Sequence, residues 1–297
     1  MPRVSICIPA FRAEKYLPQA LESVRCQTFT DWELIVTEDG SRDGTEALVR
    51  AFAQSVPQPV RYQRHEVNRG LPATRNTGIG ASAAEVVALL DADDCWRAGH
   101  LETALGRLLG TGADLAHAGS VLFESATGRE LETRAPSPGA VERFPLSLFV
   151  GEYLIQPSSV VLRKSLWERV GGFDPSFRYV EDAEMWMRCA RAGARFVYTG
   201  EATCMYRKHG GALSANSPEM AIACARAFEK QADWEAIPRA VRRGCTRDAW
   251  TSAARMLQRN DPRRAADCLL RAWRVARAPH LPAWAAALRV YAFLAGR

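Results

Sequence analysis

The chain has 297 residues, 47% hydrophobic and 24% charged, which excludes a disordered polymer and allows one large domain or two smaller ones without disulfides or structural metals. No uncharged apolar run approaches the roughly 18–20 residues of a membrane span, and the stretch before Pro9 is too short to read as a secretory leader. The net charge of +6 is uneven: residues 239–297 hold thirteen Arg against three acids, while 1–238 balance to −4, which argues for a basic tail with its own partner and against a nucleic-acid-binding body.

In chain order, residues 3–10 (RVSICIPA) are β-branched and apolar and read as a buried strand closed by Pro9. Residues 14–26 place Leu17, Ala20, Leu21 and Val24 at helical spacing. Residues 31–37 (DWELIVT) read as a second strand running into the turn-forming cluster Glu38–Thr45, and a helix follows over 45–53. Next come a short strand at 60–63, a helix over 73–84 and a buried strand at 85–90 that runs into Asp91-Ala92-Asp93-Asp94. A helix over 101–109 and a strand over 113–123 continue the alternation, which predicts an α/β fold with a parallel, doubly wound sheet covered on both faces.

Residues 124–145, polar and containing Pro136, Pro138 and Pro145, read as a loop or hairpin. Residues 158–163 are strand-like, 164–170 helical with a stop at Gly171-Gly172, 181–192 helical, and 195–199 a strand. From about Asn216 the sequence is Ala- and Arg-rich and helical to its end, with Ala266, Leu269, Leu270, Trp273 and Arg277 on one stripe. Eight cysteines are scattered without a C-x-x-C pair and read as reduced thiols, mostly filling core space.

Ligands of open parallel sheets bind beyond the C-terminal strand ends. Two acidic clusters fall there: Glu38-Asp39 after the second strand, and Asp91, Asp93 and Asp94 after the strand at 85–90. Crowded carboxylates repel one another, and a divalent cation relieves the repulsion; Mg²⁺ or Mn²⁺ is commonly held by one or two carboxylates plus phosphate oxygens. Asp-x-Asp at a strand end therefore reads either as a metal–diphosphate site or as a solvated turn. Glu181-Asp182 reads either as charge complementing a helix dipole or as a general base for an acceptor hydroxyl. Arg75 reads as a phosphate contact or a helix-surface charge, and His209 as a ligand or a packed residue.

With these residues in place, the chain resembles a family 2 glycosyltransferase of the GT-A fold. The resemblance rests on VSICIPAFRAEKYLPQALESVRCQTFTDWELIVTEDGSRDGT, NRGLPATRNTGIGASAAEVVALLDADDCW, GGFDPSFRYVEDAEMWMRCARAG and YRKHGGALS, in order over residues 3 to about 214. It implies a Rossmann-like, mostly parallel sheet with helices on both faces over 1–214, a catalytic domain, and an Arg/Ala-rich helical extension over 215–297. It also implies that Pro9, Ala10, Phe11 and Asp39 hold the nucleotide base. Glu38 stands where the family usually has another Asp, and Arg75 lies where a basic residue commonly faces the nucleotide. Asp91, Ala92 and Asp93 match the motif that contacts the ribose and the metal on the diphosphate. Asp94 could share that role, and His209 matches a residue near the metal. Asp182 matches the catalytic base, with Glu181 beside it.

The implied activity is transfer of a sugar, with inversion, from a nucleotide sugar (uridine is the family's commonest base) to a hydroxyl of a glycan or lipid-linked acceptor. The setting would be cell-surface polysaccharide assembly, assisted by Mn²⁺ or Mg²⁺. The chain lacks the membrane spans and the Q/R-x-x-R-W motif of processive synthases, which implies single addition by a cytoplasmic enzyme. Neither 124–157 nor 174–180 carries a readable acceptor code. The basic tail, with Trp273, Trp284, Tyr291 and Phe293, suits an anionic inner membrane surface; equally, it suits a helical subdomain with its arginines in water. Two other readings share the fold class. A sugar nucleotidyltransferase needs a Gly-rich loop where Pro9-Ala-Phe-Arg12 stands, and a non-catalytic binding protein would be expected to have lost a metal Asp or Asp182. A nucleic-acid partner finds no interleaved aromatic-basic motif.

Overall fold

The structure is a computed structural model that describes residues 2–209, 217–277 and 280–294, with the side chains of 291 and 294 outside that description. It divides into two compact units, Met1–Gly211 and Ala212–Arg297. The expected boundary at 214/215 lies outside the described residues, as does the end of YRKHGGALS.

The first unit opens with β1 (Val4–Ala10), α1 (Leu17–Arg25), β2 (Trp32–Glu38), α2 (Thr45–Ser55), β3 (Val60–Arg64), α3 (Leu71–Gly80) and β4 (Val86–Leu89). Every residue of β1, β2 and β4 is buried, as expected of strands covered on both faces. Strands β3, β2, β1 and β4 lie side by side and parallel. Val4, Ile6 and Ile8 face one apolar cluster with Leu34, Val36 and Leu17, while Cys7 and Ile35 face a second with Val87, Leu89 and Leu162.

Helix α3 starts earlier and stops sooner than its periodicity suggests. Gly70, at φ 89°, is its N-cap and Pro72 occupies its first turn, where a missing N–H costs nothing. Beyond Gly80, the amides of Ala83 and Ala84 are captured by Glu33 Oε1 (2.7 Å) and Ser5 Oγ (3.0 Å), which turns the chain into β4.

The unit continues with β5 (Cys95–Trp96), α4 (His100–Thr111), β6 (Leu115–Glu124), β7 (Glu130–Arg134), α5 (Pro138–Glu142), α6 (Leu146–Phe149), a 3-10 turn at Pro157–Ser159, β8 (Val160–Arg163), α7 (Lys164–Val170), α8 (Glu181–Arg191) and β9 (Phe196–Lys208). The polar stretch 124–145 does form a hairpin, with β7 antiparallel to β6. The sheet is not wholly parallel, because β8 runs antiparallel between β4 and β6. Strand β9 is much longer than the expected 195–199 and runs parallel beside β6 up to Lys208. Seven steps along β6, from His117 to Glu124, match ten along β9, from Tyr198 to Lys208, so β9 bulges outward. Gly200, at φ 92°, lies in this irregular stretch. Gly119 lies opposite Ala202, where a Cβ would stand 2.9 Å from the Arg134 carbonyl and 3.2 Å from Ala202 Cβ.

The second unit consists of α9 (Pro218–Lys230), α10 (Arg239–Leu257), α11 (Pro262–Ala276) and α12 (His280–Leu294). Its core gathers Trp250, Leu257, Ala265, Leu269, Ala272 and Leu281. Ala266 and Leu269 of the expected stripe are fully buried. Arg277 is not on it: at φ 56° it is the left-handed C-cap of α11, its guanidinium 5.0 Å from the Trp273 ring. Trp273 and Trp284 pack against this core, while Phe293 is 80% exposed; the side chain of Tyr291 lies outside the described residues. Leu269→Ala empties a fully buried site and is expected to cost about 2–5 kcal/mol, read as a lower denaturation midpoint followed by circular dichroism.

The cysteines are all free. Cys7, Cys189, Cys204 and Cys268 are buried, and Cys26 is exposed. Among the described residues, no helix is long and apolar enough to cross a membrane.

Candidate active site

The C-terminal ends of β1, β2 and β4 place three sequence clusters on one edge of the sheet. At the first, Pro9 and Ala10 are buried and Phe11 is 47% exposed. The Ala10 carbonyl accepts the Asp39 amide at 2.8 Å. Asp39 Oδ1 accepts from the Arg69 amide (2.8 Å) and pairs with His65 Nδ1 (2.8 Å), while Oδ2 accepts from the Gly70 amide (2.8 Å). Burial opposes its ionisation, but these donors together hold the carboxyl below its ordinary range. Asp39 thereby organises the turn that leads into α3. Glu38, expected among the nucleotide contacts, is 1% exposed and accepts from Ser41 and Tyr62, one to each oxygen. Each oxygen of this carboxylate thus accepts from a hydroxyl of the fold itself.

The Asp91–Asp94 loop follows β4. Ser158 ties it down: its hydroxyl accepts the Asp91 amide at 3.0 Å and donates to Asp94 Oδ2 at 2.6 Å. Asp94 Oδ1 accepts the Arg207 amide at 2.9 Å, and the residue is 2% exposed. Burial, reinforced by the charges of Asp93 and Asp91, pushes its carboxyl well above the ordinary value. Asp94, expected to share metal binding, thus has each oxygen engaged by one protein donor and is held against the loop's own frame.

Asp93 differs. Its side chain is 39% exposed and its Oδ2 lies 2.9 Å from His209 Nε2. His209 is 14% exposed and its ring lies 4.8 Å from that of Tyr16. One carboxylate and one imidazole thus meet at the open edge. Among the described residues no group of three or more His, Cys, Asp or Glu could hold a metal ion. The pair fits a divalent ion only with further oxygen ligands, which a bound diphosphate can supply.

Arg75 joins the clusters. It is 2% exposed and not a helix-surface charge. Its Nη2 donates to both oxygens of Asp91 (2.8 and 2.9 Å), and its Nη1 donates to Glu181 Oε1 at 2.6 Å. Its guanidinium carbon stands 5.3 Å from the centre of the Phe173 ring, and its buried Nε has no hydrogen-bond partner. The next residue, Asn76, holds the Phe173 backbone at both N (2.8 Å) and O (2.7 Å) and accepts the Trp167 indole N–H at 3.0 Å. Two adjacent residues of α3 therefore fix the chain that leads into α8.

Helix α8 begins abruptly. Val180, its N-cap, sits at φ 53°, a state unusual for a β-branched residue that costs of order 1–3 kcal/mol. Glu181 and Asp182 follow. Burial raises the Glu181 carboxyl to about 7 against the pull of Arg75. Burial likewise raises Asp182, with Arg75 opposing and Asp91 reinforcing. Asp182 is half-buried, and its Oδ1 accepts the Ala183 amide at 2.8 Å. A carboxyl made more basic by burial is suited to taking a proton.

The family model of glycosyl transferase family 2 matches residues 5–170, more than half of the chain. The chain belongs to glycosyl transferase family 2. An uncharacterized glycosyltransferase of Rickettsia typhi is 25% identical over 65% of this chain and 60% of its own length. The Escherichia coli UDP-Glc:alpha-D-GlcNAc-diphosphoundecaprenol beta-1,3-glucosyltransferase WfgD is 34% identical over 36% of this chain and 41% of its own. The chain thus spans less than two thirds of either relative. Residues 1–349 of S. aureus TarS, solved in complex with UDP-GlcNAc, superpose with a TM-score of 0.71 at 16% identity, over 95% of this chain and 83% of that one. At that identity the likeness shows the GT-A fold, a mixed α/β unit with a mostly parallel sheet.

The family 2 match ends before Glu181, Asp182 and His209, so these residues stand on geometry. Sequence reasoning missed Arg207 and Ser158. Arg207, 3% exposed, donates from Nε to the Asp93 carbonyl at 2.6 Å and from Nη2 to Gln19 Oε1 at 2.5 Å, and stacks over Phe123 at 4.5 Å. In a chain with 35 Arg nothing marks one buried Arg. Ser158 carries no pattern at all.

Proposed function

We propose that this chain transfers a sugar, with inversion, from a nucleotide sugar to a hydroxyl of a glycan or lipid-linked acceptor in cell-surface polysaccharide assembly. The observation that carries the reading is the buried guanidinium of Arg75, bonded at once to Asp91 of the Asp-x-Asp loop and to Glu181 beside Asp182. A donor-side carboxylate and the helix bearing a basic carboxyl are thereby held in one frame, as bimolecular transfer requires. A UDP-sugar donor is supported by the names of the E. coli relative and the TarS complex.

In this reading Pro9, Ala10 and Phe11 line the base pocket, which Asp39 shapes through the turn at 65–70. Asp91 meets the ribose and diphosphate side, while Asp93 and His209 would hold Mn²⁺ or Mg²⁺ together with diphosphate oxygens. When bound, that ion neutralises charge on the leaving nucleoside diphosphate. Asp182 takes the proton of the acceptor hydroxyl while its oxygen bonds to the anomeric carbon. The bond to the diphosphate breaks with its electron pair, and an α-linked donor yields a β-linkage. The basic second unit, with Phe293 exposed, suits contact with an anionic membrane surface.

The test is calorimetric titration of UDP with Mn²⁺ into the parent chain and Asp93→Ala. Metal-dependent binding that Asp93→Ala abolishes is the expected result. Binding of neither UDP, GDP nor dTDP would overturn the donor assignment in favour of a degenerate site.

A further inference from the structure

The first unit contains a cavity of about 260 Å³. It opens where β7 and β8 part along the edge of β6, and its lining includes Ser120, Glu132, Arg134, Glu152, Leu154 and Gln156. Its volume lies just under the roughly 300–1,000 Å³ of pockets for drug-sized ligands, so it suits one small ring and not a chain of them.

Its position follows from the chain path. Gln156 lies two residues before Ser158, whose hydroxyl bonds the Asp91 amide and the Asp94 carboxylate. The Ile155 carbonyl, between the lining residues Leu154 and Gln156, accepts the indole N–H of Trp186 at 3.3 Å. Trp186 lies one helical turn beyond Asp182 on α8. The 154–156 strip that walls the cavity therefore runs directly into the anchor of the Asp-x-Asp loop at Ser158 and is tied through the Ile155 carbonyl to the helix of the basic carboxyl.

The lining chemistry narrows the occupant. Leu154 is 60% exposed and offers an apolar face. Gln156 brings both donor and acceptor, Ser120 a hydroxyl, and the two glutamates acceptors. Arg134 is already paired with Glu132 at 3.0 Å, and Glu152 with Arg143. Both lining glutamates and Arg134 are closed into ion pairs, so the lining offers no unpaired cation to a phosphate or a uronate. It favours an uncharged ring with hydroxyls around its rim and one apolar face. We propose that this cavity is the subsite for an uncharged pyranose of the acceptor, an assignment that rests on the glycosyl-transfer reading above.

The experiment is saturation-transfer NMR on the full chain with UDP and Mn²⁺, using methyl β-D-glucopyranoside and methyl β-D-glucuronide as probes. The glucopyranoside is expected to bind and the glucuronide to bind about fivefold more weakly or not at all. Leu154→Ala and Gln156→Ala are each expected to weaken glucopyranoside binding about fivefold, in line with one lost contact or hydrogen bond. Leu154 is exposed and Gln156 half-buried, and UDP titration of the same samples reports that each variant is folded. Absence of glucopyranoside binding, preference for the glucuronide, or binding unchanged in both variants would overturn the proposal. Loss of UDP binding by the parent chain would instead sink the donor reading, and the pyranoside arms would still decide the cavity.

Discussion

Replacing Asp182 by Asn is expected to lower sugar transfer by roughly 10²–10⁴-fold, the usual contribution of a positioned general base, with UDP affinity within about twofold of the parent. The amide keeps the shape of the carboxyl and can still accept from the Ala183 amide, so helix α8 keeps its start. What is lost is the capacity to take a proton. The pH dependence follows from the same environment. Burial raises the Asp182 carboxyl, so its basic form is lost at a higher pH than for an ordinary aspartate. Initial rates at saturating donor should fall as pH drops through that raised value, while the Asn variant's residual rate loses this acid limb. Retention of near-parent rates by Asp182→Asn would rule it out as the base.

Arg75→Met should carry the largest stability cost of any single change at the site. It would leave Asp91 and Glu181 facing each other with no cation, in a position 2% exposed. Removing one partner of a buried charged network typically costs about 3–5 kcal/mol. For a unit of this size that is a fall of roughly 6–20 °C in Tm. Arg75→Lys is expected to recover part of the stability and little of the transfer rate, because an ammonium lacks the fork that reaches both carboxylates. Thermal melts alongside kcat and KM separate the two effects: a purely structural role would let Lys rescue both together.

Much of this was legible in the sequence because the signals were local. Buried strands β1, β2 and β4 read directly from apolar runs, and α7 with its Gly171 stop from helix punctuation. Asp93 and His209 could be named from the resemblance. Their closeness, 2.9 Å across 116 positions, depends on the full reach of β9, whose second half alternates too weakly to announce a strand. For Arg75 the sequence leaves a phosphate contact and a surface charge equally open. Helical periodicity tells which face a residue occupies but not that two carboxylates wait on that face. For Glu38 and Asp94 the converse holds: no local signal announces that Tyr62, Ser41, Ser158 and the Arg207 amide each engage one of their oxygens.

The unequal count between β6 and β9 has its own consequence. Side chains of a strand alternate between faces, so the odd excess of residues in β9 resets which face each later residue occupies. Arg207 beneath Asp93 and His209 beside it are in phase only because of that excess. Deleting a single residue near Gly200 would leave the composition of the site untouched and turn this end of the strand inside out. Length, and not merely residue identity, is therefore under constraint in a stretch that contains none of the reacting groups.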